Sequence, residues 1–397
     1  MAGLMLALVA LFELLGMTVW FSATAVTGAM TADLRLSPAV AAWLTMAVQG
    51  GFVVGTLGSA LLSLPDVLSP RRLGAVGCVT AAAVNAGVAL TAEPAVVLAC
   101  RFATGVALAW VYPPGLKIAA GWTVRRRGTA LGLAVGALTL GSALPHLLRG
   151  LAVDADWRTL VLTSSGLALL GAILVTAAVR DGPYVTETSP FNPRAALEVA
   201  SSRGVRLATL GYLGHMWELY AMWTWFGAFA TASLAAAATG RAASLGSLAA
   251  FVAVAAGAPG CVLAGLWADG IGKARVAGFA MVASAACAAS AGLFFGASYP
   301  ALLLLAGVWG FTVVADSAQF SALVVDHAPR RLVGTALTLQ TCAGFLLTML
   351  TIRVVPWGVE AVGWPWVFVL LAPGPLLGAW AMRRLAMSAE PAPPGTS

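Results

Sequence analysis

The twelve residues FELLGMTVWFSA, at 12–23, return about half a chain later as WELYAMWTWFGA, at 217–228. Six positions are identical at a constant offset of 205: Glu13 with Glu218, Leu14 with Leu219, Met17 with Met222, Trp20 with Trp225, Phe21 with Phe226 and Ala23 with Ala228. A repeat at half the chain length marks a duplicated unit. Each copy lies in an apolar run of helical length, so each sets a carboxylate near the middle of a segment fit to cross a membrane. That position costs roughly 2.5–3.5 kcal/mol on insertion scales. An acid present there in both copies points to a substrate or proton pathway; the plainer alternative is a carboxylate tied to a neighbouring helix.

The rest of the composition agrees. With 60% hydrophobic and 9% charged residues and a mean hydropathy of +0.92 over 397 residues, the chain reads as a multi-pass protein of the lipid bilayer. Its sizeable polar stretches, 180–206 and the tail from Ser388, are too short to fold alone. A net charge of +7 would suggest nucleic acid in a soluble protein. Here it is explained by loop charges that orient helices, and no nucleic-acid partner is expected. The five cysteines, Cys78, Cys100, Cys261, Cys287 and Cys342, lie in apolar runs with no CxxC pair, and read as small core residues. Neither metal nor cofactor is expected, and no G-x-x-x-x-G-K-[ST] loop is present to draw on ATP. The first apolar run is too long and too lightly charged for a cleaved signal, and is expected to stay.

At about 20 residues per crossing, the chain divides into twelve spans: 4–31, 38–64, 73–92, 94–120, 128–150 and 157–179, then 205–235, 243–267, 274–296, 298–325, 332–355 and 363–386. The predicted fold class is an all-α membrane protein of twelve transmembrane helices in two pseudo-symmetric six-helix halves. The halves are 1–180 and 205–386, joined by a cytoplasmic linker at 181–204 and followed by a disordered cytoplasmic tail at 387–397. With the amino terminus inside, fifteen of the 22 basic residues fall inside, five fall outside or at the outer edge, and Arg101 and Lys117 lie within spans. That bias predicts a cell-membrane protein with both termini cytoplasmic.

A second repeat, GTALGLAVGALTLG from Gly128 and GTALTLQTCAGFLL from Gly334, supports the same division. Parallel halves with a site between them near the midplane are a known architecture of secondary transporters. The loop GLWADGIGKAR, with Gly265, Asp269, Gly272, Lys273 and Arg275, resembles the cytoplasmic G-x-x-x-D-x-x-G-[KR]-x-[KR] signature of the major facilitator superfamily. In the first-half copy, LSLPDVLSPRR, only Asp66, Arg71 and Arg72 survive. Arg101 and Gly105 are similar to that family's R-x-x-x-G element, whose arginine is often tied to proton coupling. The resemblance covers essentially the whole chain and implies alternating access, with Asp269, Lys273, Arg275 and Asp66 as gating residues. A solvated loop that only satisfies the charge bias is the plainer reading of those four.

Few polar residues lie inside spans. Glu13, Glu218, His215 and Asp316 are the candidates for proton coupling. His215 stands three residues before Glu218 on the same helix face, so the two are expected to share a cavity wall; a satisfied interface histidine is the alternative. Arg101, Lys117, Trp20, Trp225, Tyr112, Gln319, Met17 and Met222 are the candidates for substrate contact. Snorkelling to the inner surface is the plainer reading of Lys117, and packing that of the methionines.

The expected function is secondary active transport of a small solute, coupled to protons, by a monomer. A small-anion permease similar to nitrate or cyanate carriers is the alternative, resting on Arg101 and Lys117. A drug exporter is disfavoured because the fifth span, 128–150, lacks a G-P-x-x-G-G element. A copper importer would use Met17, Met222, Met216 and His215. A non-transporting sensor or scaffold would need an output domain, and an enzyme a nucleophile–base pair; neither is found, so no catalytic residue is assigned.

Overall fold

The computed structural model describes residues 1–64, 68–123, 127–152, 154–184 and 192–389, and among them no strand occurs. The chain opens with α1 (Ala2–Met17), turns through residues 18–22 and a 3-10 turn (Thr24–Val26), and continues in α2 (Thr27–Leu34). Next come α3 (Pro38–Leu61), α4 (Pro70–Ala89), α5 (Pro94–Leu108), α6 (Tyr112–Gly121), α7 (Arg127–Leu151) and α8 (Trp157–Ala177). A short helix, α9 (Ala196–Ser201), precedes α10 (Arg203–Ala236), α11 (Ala242–Ala255) and α12 (Gly257–Ile271). The chain then forms α13 (Lys273–Ser290), α14 (Tyr299–Ala315), α15 (Ser317–His327), α16 (Val333–Trp366) and α17 (Pro373–Ala389).

Local chemistry sets many of these limits. The hydroxyls of Ser37, Ser69 and Ser202 accept backbone N–H bonds at the starts of α3, α4 and α10, and the Asp156 carboxylate does so at α8. Pro38, Pro70 and Pro94 sit where a helix has no use for an N–H. Gly272, at φ 91°, separates α12 from α13 in a conformation that only glycine adopts cheaply.

Nine segments among the described residues are long and apolar enough to cross a bilayer. The two that carry the duplicated acids are not among them. α1 has only 16 residues before its break, and α10, though 34 residues long, includes His215, Glu218 and several tryptophans that lower its hydropathy. The last of the nine, Arg330–Ser388, runs for 59 residues, more than two crossings require, and bends at Gly363. The expected spans 4–31, 94–120, 243–267 and 298–325 are each divided into two helices. Prolines account for two of the divisions: Pro113 and Pro114 open α6, and Pro259 lies in the first turn of α12. The last helix runs to Ala389, three residues past the expected end of its span.

Leu61, Leu90, Ile173, Phe279, Leu293 and Leu304 stand exposed on the outer surface. An apolar exterior of this extent suits hydrocarbon rather than water. Inside, glycines bring backbones together. A side chain at Gly51, Gly55 or Gly105 would run into the carbonyls of Phe102, Val106 or Val48, which locks α3 against α5. A Cβ on Gly132 or Gly136 would lie 3.1 Å from the carbonyl oxygens of Cys261 and Ala258. That contact packs α7 against α12, across the point where the repeat begins again.

Candidate functional site

Glu218 is buried on α10 with both carboxylate oxygens engaged: Trp309 Nε1 donates to Oε1 at 2.7 Å and Ser284 Oγ donates to Oε2 at 2.6 Å. The two donors differ in kind. An indole N–H only donates, whereas a hydroxyl rotates to donate or accept. Glu218 therefore keeps both partners in either protonation state, because the serine hydroxyl turns to accept once the carboxyl carries a proton.

His215 does not use its helix neighbour. Its Nδ1 lies 2.8 Å from Asp316 Oδ1, and both side chains are almost wholly enclosed. The contact has ion-pair distance but lies off the in-line hydrogen-bond direction, and His215 Nε2 has no hydrogen-bond partner among the described residues. Asp316 occupies the junction of α14 and α15, and the rings of Tyr212 and Phe320 flank the imidazole at centroid distances of 6.2 and 5.5 Å. The spacing of His215 and Glu218 puts them on neighbouring turns, yet their side chains meet different partners. Gln319, one turn into α15, is buried as well.

Glu13, the other member of the duplicated pair, is fully enclosed on α1, and neither oxygen has a hydrogen-bond partner among the described residues. Its carboxylate presses on the backbone of α6 at Gly115, where a Cβ would collide with Oε1. Cys78 and Tyr112 are within electrostatic reach of it. Lys117 is partly buried two residues beyond Gly115.

Arg101 is directed to backbone. Its Nε donates to the Leu44 carbonyl at 3.1 Å, its Nη1 to the Val19 carbonyl and Asn85 Oδ1 at 2.9 Å each, and its Nη2 to the Trp20 carbonyl. Four of five guanidinium donors are thus committed. Val19 and Trp20 are where α1 breaks, and an interrupted helix leaves carbonyls without intrahelical donors. At the corresponding offset the second copy has Ala306 and Gly307, and there α10 runs unbroken through Trp225. The arginine and the break belong together. Asn85 completes the brace: it accepts from Ser22 and donates to the Val161 carbonyl and Ser165.

Above these acids the two copies meet in a cluster of rings. Trp20 packs on Phe52, Tyr220 and Phe345 at 5.1, 5.8 and 5.7 Å, while Phe21 packs on Tyr220 and Trp223 at 6.3 and 5.9 Å. The indole N–H groups of Trp20 and Trp223 find no acceptor among the described residues. Trp225 instead donates to the Ile352 carbonyl at 2.9 Å. Met17 and Met222 are wholly buried in the same core.

At the loop between α12 and α13, Lys273 Nζ pairs with Asp326 Oδ2 at 2.6 Å on the surface. Asp269 lies beside Gly128 in the first turn of α7, where helix N–H groups favour an acid. Arg275 is exposed in the first turn of α13; Asp66 lies outside the described residues. Between α2 and α8, the Trp157 indole and Arg158 bond Asp33 at 3.0 and 2.9 Å and hold its carboxyl below the usual aspartate range.

Many apolar helices, an apolar exterior and ionisable groups enclosed between helices define a polytopic membrane transporter. A family model described as Major Facilitator Superfamily matches residues 6–240, and the chain belongs to that superfamily. No curated protein matches the chain.

Proposed function

We propose that this protein is a proton-coupled secondary transporter of a small solute, working in the cell membrane as a monomer. In this reading two six-helix halves cross the bilayer twelve times, leave both termini in the cytoplasm, and alternate access to a site between them. Glu218 carries the coupling proton. The observation that supports this is its pair of partners, one fixed donor and one hydroxyl able to reverse its role, which serve the charged and neutral carboxyl alike. The buried His215–Asp316 contact is a second place for a proton on the same side of the molecule. Commitment of Arg101 to backbone carbonyls weighs against a small-anion permease built on that residue.

Glu218→Gln mimics the protonated state and retains both contacts, since the amide accepts from Trp309 and donates to Ser284. In proteoliposomes it abolishes accumulation driven by an imposed pH gradient and leaves solute exchange, which moves no net proton, near the wild-type rate. Wild-type accumulation by Glu218→Gln overturns the assignment.

A further inference from the structure

The geometry points to Glu13 as a binding site for a cationic solute, an organic ammonium with an apolar or aromatic body. The inference rests on the transporter reading above and adds the substrate's chemical class. Three observations carry it.

The first is the carboxylate. Glu13 is fully enclosed, and both oxygens lack a hydrogen-bond partner among the described residues. Its duplicate Glu218 has two. A buried polar group without partners is costly, and a carboxylate more so, so the asymmetry leaves one of two ancestral acids free for something outside the protein. An ammonium supplies the missing donors together with the opposite charge.

The second is the electrostatic setting. Arg101, which could have neutralised an acid on α1, binds the carbonyls of Val19, Trp20 and Leu44. Lys117, partly buried two residues beyond Gly115, makes no hydrogen bond to the Glu13 oxygens, His146 is buried on α7, and Asp316 lies 2.8 Å from His215. A carboxylate-bearing solute would meet Glu13 as a like charge.

The third is the lining. Tyr112 opens α6 three residues before Gly115, against which the Glu13 carboxylate rests. Tyr220 joins Trp20 at 5.8 Å. Trp20, seven residues beyond Glu13, thus sits in a ring cluster shared by the two copies, and ring faces attract cations. Gly115 sets the geometry, since only a residue without a Cβ lets α6 lie against the Glu13 carboxylate.

Equilibrium binding to the full chain in lipid nanodiscs, with no pH gradient, separates this inference from proton coupling. The probes are phenethylammonium, the anion hydrocinnamate and the neutral hydrocinnamyl alcohol, compared by calorimetry. The account expects phenethylammonium to bind at least about tenfold more tightly than either isostere, and Glu13→Gln to remove about that factor. Gly115→Ala weakens the same probe, and Glu13→Asp keeps part of the affinity, which shows that a folded protein was assayed. Equal or tighter binding of the anion or the alcohol overturns the assignment. So does no binding of any probe, or phenethylammonium binding that Glu13→Gln leaves unchanged. None of these results bears on whether Glu218 carries a proton.

Discussion

Arg101→Met replaces the buried guanidinium with an apolar side chain of similar length and asks what the arginine is for. In the wild type it satisfies the carbonyls of Trp20 and Leu44 and one acceptor site on Asn85. The one hydroxyl proton of Ser22 serves either the Val19 carbonyl or Asn85 Oδ1 after the substitution, so the Trp20 and Leu44 carbonyls are the two losses it cannot cover. Two buried carbonyls are then orphaned at about 1–3 kcal/mol each, or about 2–6 kcal/mol together. Relief from burying a charge returns part of this, so the net loss is about 2–4 kcal/mol. Unfolding of the purified protein by SDS titration from mixed micelles reads the difference. Arg101→Lys recovers at most about half, because a compact ammonium with three donors cannot fork to carbonyls on two helices and an amide on a third. An Arg101→Met protein as stable as wild type, yet unable to bind or move solute, refutes the reading of Arg101 as a brace and returns it to the transport pathway.

Trp309→Phe removes the fixed donor to Glu218 while keeping most of the ring, and lowers stability by about 1–3 kcal/mol in the same titration; an unchanged midpoint means the indole bond is dispensable. Asp269→Asn leaves stability within about 1 kcal/mol, as expected of a surface charge, but shifts the balance between inward-open and outward-open states read by paired-probe distances, and an unmoved balance reduces Asp269 to a solvated loop acid. Asp33 is held below the usual carboxylate range by Trp157 and Arg158, so the folded state favours its ionised form. Its contribution is full above the ordinary aspartate value of about 3.9 and is lost as pH falls through the lower folded value. Asp33→Asn therefore lowers the thermal midpoint at neutral pH and matches wild type in strong acid; a gap that persists in acid points to lost packing instead.

Much of the architecture was legible because membrane segments announce themselves by length and apolarity. The duplicated FELLGMTVWFSA motif located the two acids, and the GLWADGIGKAR loop pointed to the family that the match over residues 6–240 shows. What pattern could not supply was direction. His215 and Glu218 lie three residues apart, yet neighbouring helices turn one toward Asp316 and the other toward Ser284 and Trp309. The break after Met17 carries no proline or glycine at the break itself, and depends on Arg101 arriving from α5, more than 80 positions along the chain. Asn85 did leave a trace, as a lone amide in the apolar run of α4, whereas Trp309 looks like any other tryptophan in a greasy helix. Gly115 gained its meaning only when the carboxylate of α1 was found pressed against it.

The central claim is that solute movement and proton movement share one cycle through Glu218. The direct measurement is intravesicular pH, followed with a trapped dye in liposomes holding the purified protein, as each member of a panel of small amines, anions and neutral solutes is added outside. The account predicts a pH change for transported solutes that disappears in Glu218→Gln while labelled solute exchange continues. Net solute transport at full rate with no pH change in wild-type vesicles, or a pH change that Glu218→Gln preserves, contradicts it.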